Sequence, residues 1–524
     1  MKSIMSPQQQ FNRVASPKVR RSRFDRSHGY KTTLDYGKLI PIFIDEMLPG
    51  DHIDIRPTIF ARHNTLIKPL LDNSYLDVHF FSCPIRLVCE NFVKMMGEQD
   101  NPTDTTDYIM PVVTVPGSGF AQGSVFDYSG LPIEVAGMRA PRADFFRAMN
   151  LIWNQYYRDE NLEDSKTVNK GDGPDAATDY PILTRGKRKD YFTSALPWPQ
   201  KGDAVLLPLG TTAPVVSDGS GVNVSGTGFS NRALEIVGGS PNDVRLTGAA
   251  ISGSQSFIFG DSTGLEVSLD DATAATINQI REASQLQVLF EIDARSGSRY
   301  IEQMLGHFGV VSPDARLQRP EYLGGFTTNL NTTPIAQNSA SVSGQTPQAN
   351  LSGMGTFYNS GRVTKSFTEH EVVIGFISAR ADLTYQQGID RMFARSTRLD
   401  FYFPSFAHLG EQAILNDEIY AQGTSADGDV FGYQERWAEM RYKKSNVTGK
   451  FRSNATGTLD VWTLTQEFGS LPVLNDTFIQ ENPPIDRVVA VDTEPHLMLD
   501  AYFTYYHTRP MPTYSTPGAL VGRL

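Results

Sequence analysis

The stretch Ser22–Asp51, SRFDRSHGYKTTLDYGKLIPIFIDEMLPGD, changes character partway along, and that change limits what the chain can fold into. Eight of the first 31 residues are basic (Lys2, Arg13, Lys18, Arg20, Arg21, Arg23, Arg26 and Lys31) and only Asp25 is acidic, an arm of +7 on a chain of net charge −11. The remainder therefore carries −18. Residues 1–31 are charge without a core and read as a cationic arm. From Leu39 the chain turns apolar with Ile40, Ile42, Phe43, Ile44 and Met47, and Leu48-Pro49-Gly50-Asp51 closes that run with turn residues. A polycation is thereby fastened to a sheet.

Composition says what kind of sheet protein follows. The 524 residues include 44 Gly, 31 Pro, 30 Phe and 21 Tyr, a mixture that favours strands and turns over helical bundles. A chain of this length can bury a large core, while length alone leaves one to four domains open. The acidic remainder excludes a protein whose whole surface coats nucleic acid, but leaves room for one basic arm or face. Cys83 and Cys89 stand in CPIRLVC with no second pair to complete a zinc site, so they read as structural. No stretch approaches the roughly 18 to 20 apolar residues of a spanning helix, and the amino terminus has no apolar signal core. The expectation is a protein with no membrane insertion and no export.

Taken in order, His52–Arg56 and Leu76–Phe80 alternate apolar with polar residues and read as edge strands of one sandwich. Arg86–Gly97 and Arg142–Tyr157 carry apolar residues at helical spacing. In the second, Phe145, Phe146, Met149, Ile152, Trp153 and Tyr156 read as a core face and not as a platform for bases. The carboxylates of Asp100, Asp104 and Asp107 lack the spacing and the distal Glu of a calcium loop and read as a solvated turn. Residues 201–262 hold 11 Gly and only eight charges, a β-rich excursion that reads as an insertion over 201–270. A helix over Ala272–Ile292, capped by Asp271, follows it. Tyr300, Ile301, Met304, Leu305 and Phe308 share one face of the next helix. Thr327–Gly361 reads as a polar loop or extended arm, Val372–Thr384 and Leu399–Phe403 as strands, and Leu497–Tyr505 as a late core strand.

Enzyme signatures are absent or out of context. Gly260-Asp261-Ser262-Thr263-Gly264 fits G-x-S-x-G, but its Gly/Ser-rich surroundings do not read as the strand and helix a nucleophile elbow needs. No phosphate-cradling G-x-x-x-x-G-K-[ST] occurs, and the nine histidines show no metalloprotease spacing. The expectation is no catalysis, no cofactor and no metal.

Several strings in a fixed order carry more: SRFDRSHGYKTT, PIFIDEMLPGD, YFTSALPWPQ (Tyr191–Gln200), Arg299-Tyr300-Ile301-Glu302 and DARLQRPEYLGG (Asp314–Gly325). His408–Asn416 and Val430–Tyr442 belong with them. Together they resemble the major capsid proteins of microviruses, in particular the gokushovirus branch of small single-stranded DNA bacteriophages. The resemblance covers most of residues 20–510 and is weakest over 201–270 and 327–360. It implies an all-β fold, an eight-stranded antiparallel viral jelly roll with long inserted loops and a few helices, occupying residues 32–524 and interrupted by 201–270. It further implies self-assembly into a T=1 icosahedral shell around single-stranded DNA, in a virion assembled in the bacterial cytoplasm. Scaffolding, pilot and small basic DNA-binding proteins and a host surface receptor are its implied partners. On this reading Lys18, Arg20, Arg21, Arg23 and Arg26 face inward onto genome phosphates, and 201–270 forms a protrusion around the threefold axes for host attachment. The competing readings are a β-rich carbohydrate-binding protein, which should be exported, and a nucleic-acid-binding regulator, which needs a basic body.

Overall fold

The computed structural model describes residues 20–205, 277–297, 299–310, 318–339 and 348–514, together with short strands between 215 and 267. The chain runs through β1 (Ser22–Asp25), β2 (His28–Leu34), β3 (Lys38–Met47), β4 (His52–His63) and β5 (Ser74–Pro84). Helix α1 (Asp144–Tyr156) and β6 (Leu183–Thr184) follow. Next come β7 (Val215–Ser217), β8 (Asn223–Gly226), β9 (Phe229–Ile236), β10 (Val244–Leu246), β11 (Ile258–Phe259) and β12 (Leu265–Val267), then helices α2 (Ile277–Ser296) and α3 (Tyr300–Phe308). The last stretch holds β13 (Glu321–Asn329), β14 (Asn331–Ala336), β15 (Leu351–Ser360), β16 (Val363–Ser366), β17 (Glu371–Ala381), β18 (Glu411–Leu415), β19 (Val430–Glu435) and β20 (Leu497–Arg509).

Two antiparallel sheets form the body. One has the order β1-β20-β4-β15-β14, with β2 also pairing β20 and β16 also pairing β4; the other is β13-β5-β17-β3-β6. The chain crosses from sheet to sheet at β3 to β4, β4 to β5 and β16 to β17, which is jelly-roll winding. The two sheets hold seven and five strands, short ones such as β1, β6 and β16 among them. Period-two alternation builds the space between them: Ile53, Ile55, Ile59 and Ala61 of β4 and Leu499, Ala501, Phe503 and Tyr505 of β20 point inward. They meet Leu76, Val78 and Phe80 of β5 and Val373 and Ile377 of β17.

Part of the other face of the five-stranded sheet is dry too. Phe81, Cys83, Val372, Ile374 and Phe376 pack there against Phe146, Met149, Ile152 and Trp153 of α1, so the stripe of that helix is a core face. This explains why Val372–Ile377 reads as an unbroken apolar run: both faces of β17 are covered there. Cys83 and Cys89 are unpaired thiols within this layer.

Several expectations are corrected. His52–Arg56 and Leu76–Phe80 are interior strands, β4 lying between β20 and β15 or β16, and β5 between β13 and β17. Alternation reports one wet face, or two unlike faces, and is silent about neighbours in the sheet. The described residues of Thr327–Gly361 are largely strand, because cross-strand partners satisfy the backbone of a stretch whose Ser, Thr and Gly residues give the core little beyond Phe357. Leu399–Phe403 holds only a short 3-10 turn at Arg398–Asp400, and Arg86–Gly97 only two short helical turns. Strand structure begins inside the expected arm, since β1 and β2 both pair with β20.

A second compact unit spans Gln200–Arg295, somewhat beyond the expected 201–270. It holds a four-stranded sheet, β10-β9-β8-β11, a pair, β12-β7, and most of α2. Gly260–Gly264 and the expected cap Asp271 lie outside the described residues.

Candidate nucleic-acid interface

The five cations expected to face nucleic acid are not equivalent. Lys18 lies outside the described residues. Arg20 and Arg21 are exposed just ahead of β1, and Arg23 is exposed within it, its guanidinium 3.9 Å from the ring centre of Tyr506. Pairing of Ser22–Asp25 with Tyr506–Arg509 gathers these side chains along one sheet edge. Tyr506 adds a π-face under one of them, an arrangement that keeps the charge available while fixing its position.

Arg26 is different. Its guanidinium pairs with Asp45, with Nη2 donating to Oδ1 at 3.0 Å, and Nη1 also reaches Nδ1 of His507 at 2.9 Å. Burial works against the charged guanidinium, but Asp45 outweighs it and holds Arg26 above its ordinary range. Tyr505 donates to the same carboxylate (2.6 Å), and burial followed by Asp45 pushes its phenol up. Since Nδ1 of His507 accepts from Arg26, the proton is assigned to Nε2, which donates to Asp51 Oδ2 at 2.8 Å. Burial, then Arg509, pushes this imidazole below its usual value, against the pull of Asp51 and Asp45. Asp51 also accepts from Arg509 Nε (3.0 Å) and from the Leu48 N–H (2.8 Å).

The result is a chain of hydrogen-bonded groups, Asp45, Arg26, the neutral His507, Asp51 and Arg509, tying the arm's exit to β3, β20 and the turn after β3. Its buried His507 lies one step beyond the alternating run Leu497–Tyr505 that the sequence shows as a core strand. Continuing period two by one step places His507 inward.

The surface around the body is apolar in places. Ile109 (79% exposed), Tyr300 (78%) and Phe393 (75%) are uncovered in the single chain, as are Leu305 and Phe308 of α3. Ile280, Leu286 and Leu289 of α2 are also uncovered. Among the described residues no group of three or more His, Cys, Asp or Glu side chains could hold a metal ion, and no helix is long and apolar enough to cross a membrane.

Against known proteins, residues 12–519 match the family model described as capsid protein (F protein). The chain is 46% identical over 529 residues to capsid protein VP1 of Bdellovibrio phage phiMH2K, covering 98% of each chain. It is 44% identical to capsid protein VP1 of Chlamydia phage 1, with 97% of each covered, and 34% identical to that of Spiroplasma virus 4, with 95% covered.

Proposed function

The chain belongs to the capsid protein (F protein) family of phages, with relatives among the gokushovirus-type microviruses, and from that premise we propose that it closes into a T=1 icosahedral shell around single-stranded DNA. As a capsid protein it is structural, assembles with copies of itself and resides in the virion. The observation that carries the closed shell is the apolar surface left uncovered in the single chain, at Ile109, Tyr300, Leu305, Phe308 and Phe393, which neighbouring copies bury. Assembly takes place in the bacterial cytoplasm with scaffolding, pilot and small basic DNA-binding proteins as partners. Electron microscopy of the purified protein should show closed shells of one diameter; open sheets or dispersed monomers would refute this.

Within the shell, Lys18, Arg20, Arg21, Arg23 and Arg26 contact genome phosphates. Arg26 contributes least, because Asp45 already neutralises it. Such contacts hold DNA without reading its sequence. Changing Arg20, Arg21 and Arg23 to Gln should leave shells but lower their DNA content, and unchanged packaging would reject the contact. The insertion over 201–270 forms a protrusion around the threefold axes and meets a host surface receptor, a reading supported by its low charge and Gly-rich turns. Joining Lys201 to Asp270 through a short Gly/Ser linker should preserve shells and reduce cell attachment. Attachment equal to that of the full chain, or failure to form shells, would overturn it.

A further inference from the structure

The cover that α1 lays over the five-stranded sheet stops at Tyr156, and beyond it the outer face changes from apolar to cationic. A cavity of about 460 Å³ opens there, of a size that suits a small ligand. Arg158, Arg185, Lys187, Lys189 and Arg380 line it, with Asp159 as the only carboxylate in its wall among the described residues. Two of these cations share one anion, since Arg185 and Arg380 both reach Asp77 Oδ2, at 3.2 and 2.8 Å. Lys189 pairs with Asp159, and Lys187 is held by the neutral amide of Gln466 at 3.1 Å. Glu481 stands near Lys187, but burial keeps its carboxyl protonated up to about 7. Arg158 leaves its Nε buried without a partner. The cavity therefore holds more positive charge than its own residues neutralise, which disposes it to take up an anion.

Its remaining wall is aromatic. Tyr322 is 47% exposed at the rim, its ring centre 5.4 Å from that of Phe81 and 5.8 Å from that of His79. His79 is held by Tyr157 at 2.9 Å, and Arg185 lies 5.4 Å over the ring of Tyr157. A firmly backed ring beside uncompensated guanidinium and ammonium groups suits a ligand that joins a phosphate to a flat unpaired base.

We propose that this cavity seats one nucleotide of a single-stranded DNA, its phosphate among Arg158, Arg185, Lys187 and Lys189 and its base against Tyr322. The choice of strand as ligand rests on the reading that the protein encloses single-stranded DNA; the cavity itself is separate from the arm. It takes one base by stacking and so has little preference for sequence, while distinguishing a strand with bases from a bare phosphate chain.

The test uses the full-length unassembled chain and fluorescence anisotropy, with a labelled short oligo-deoxythymidylate and an abasic strand of equal length. Tyr322→Ala should weaken binding of oligo-deoxythymidylate by about tenfold and leave the abasic strand unaffected. Tyr322→Phe should restore tight binding, because it keeps the ring. Lys187→Gln should weaken both strands alike. Wild-type affinity in Tyr322→Ala, or equal losses for both strands, would overturn the proposal, as would thymidine monophosphate competing as well as the oligonucleotide. Failure of the arm reading would appear elsewhere, as unchanged affinity when Arg20, Arg21 and Arg23 are all Gln.

Discussion

The two sheets of the body share one core but differ on their outer faces. Behind the five-stranded sheet, α1 and its loops seal Phe81, Ile374 and Phe376, and a buried network locks the seal in place. Arg147 and Asp175 are both fully buried, with Nε donating to Oδ2 at 2.6 Å and Nη2 to Oδ1 at 2.7 Å. Arg147 Nη1 donates to the carbonyls of Val88 and Gly171, and Tyr180 and Asn169 complete the carboxylate's shell. Burial raises the Asp175 pKa, but Arg147 and Tyr180 more than offset it and leave it low. Among the described residues, the outer face of the seven-stranded sheet has no such cover. Phe60 and Tyr502 are 41% and 53% exposed there, among Asp54, Arg56 and Asp500. A covered face ties stability to single residues, whereas a bare one leaves its side chains free for partners.

The sharpest way to break this contrast is Asp175→Ala, which leaves the Arg147 guanidinium buried and unpaired. A loss of roughly 3–5 kcal/mol in urea unfolding is expected. A loss no larger than a surface change would show that the network does not hold the seal.

Acid probes the same face through two groups of opposite sign. Burial first, then Arg185, pushes His79 from 6.5 down to about 4. The unfolded chain therefore takes up a proton that the folded one refuses, and the stability His79 contributes above pH 6.5 is lost as pH falls toward 4. Burial pushes Glu481 from 4.5 up to about 7, so its contribution is present below pH 4.5 and lost as pH rises through 7. Each effect amounts to about 2 kcal/mol between pH 7 and 5. His79→Gln should make stability fall less between pH 7 and 5 than in the parent, and Glu481→Gln should make it fall more; parallel pH profiles would exclude both assignments.

The smallest effect belongs to the bare face. Tyr502→Ala should change the stability of the unassembled chain by no more than about 0.5 kcal/mol. A larger loss would mean that this face is packed after all.

Much of the fold was legible in local pattern. Alternation in β4 and β20, the stripe of α1 and the turn at Leu48–Asp51 are short-range signals of period and turn chemistry, and each appears where it was read. The basic arm was legible as composition, and the specific strings placed the chain in its family. Which strands became neighbours was not legible, because sheet order joins residues hundreds of positions apart: β20 lies beside β1, β2 and β4, and β13 beside β5. For the same reason Thr327–Gly361 reads as a loop, since its strands are held mainly by distant partners, with Phe357 as their anchor in the core.

The candidate site divides the same way. Sequence by itself determined that Arg20, Arg21, Arg23 and Arg26 are a cluster of charge, because charge adds along a chain wherever it folds. Only the tertiary structure decided that Arg26 is committed to Asp45 and that Arg185, Lys187 and Arg380 converge with Tyr322 on one cavity. Whether a cation is neutralised or left available depends on which carboxylate lies within a few ångströms of it, and that distance is set by the packing of sheets and loops, not by position along the chain.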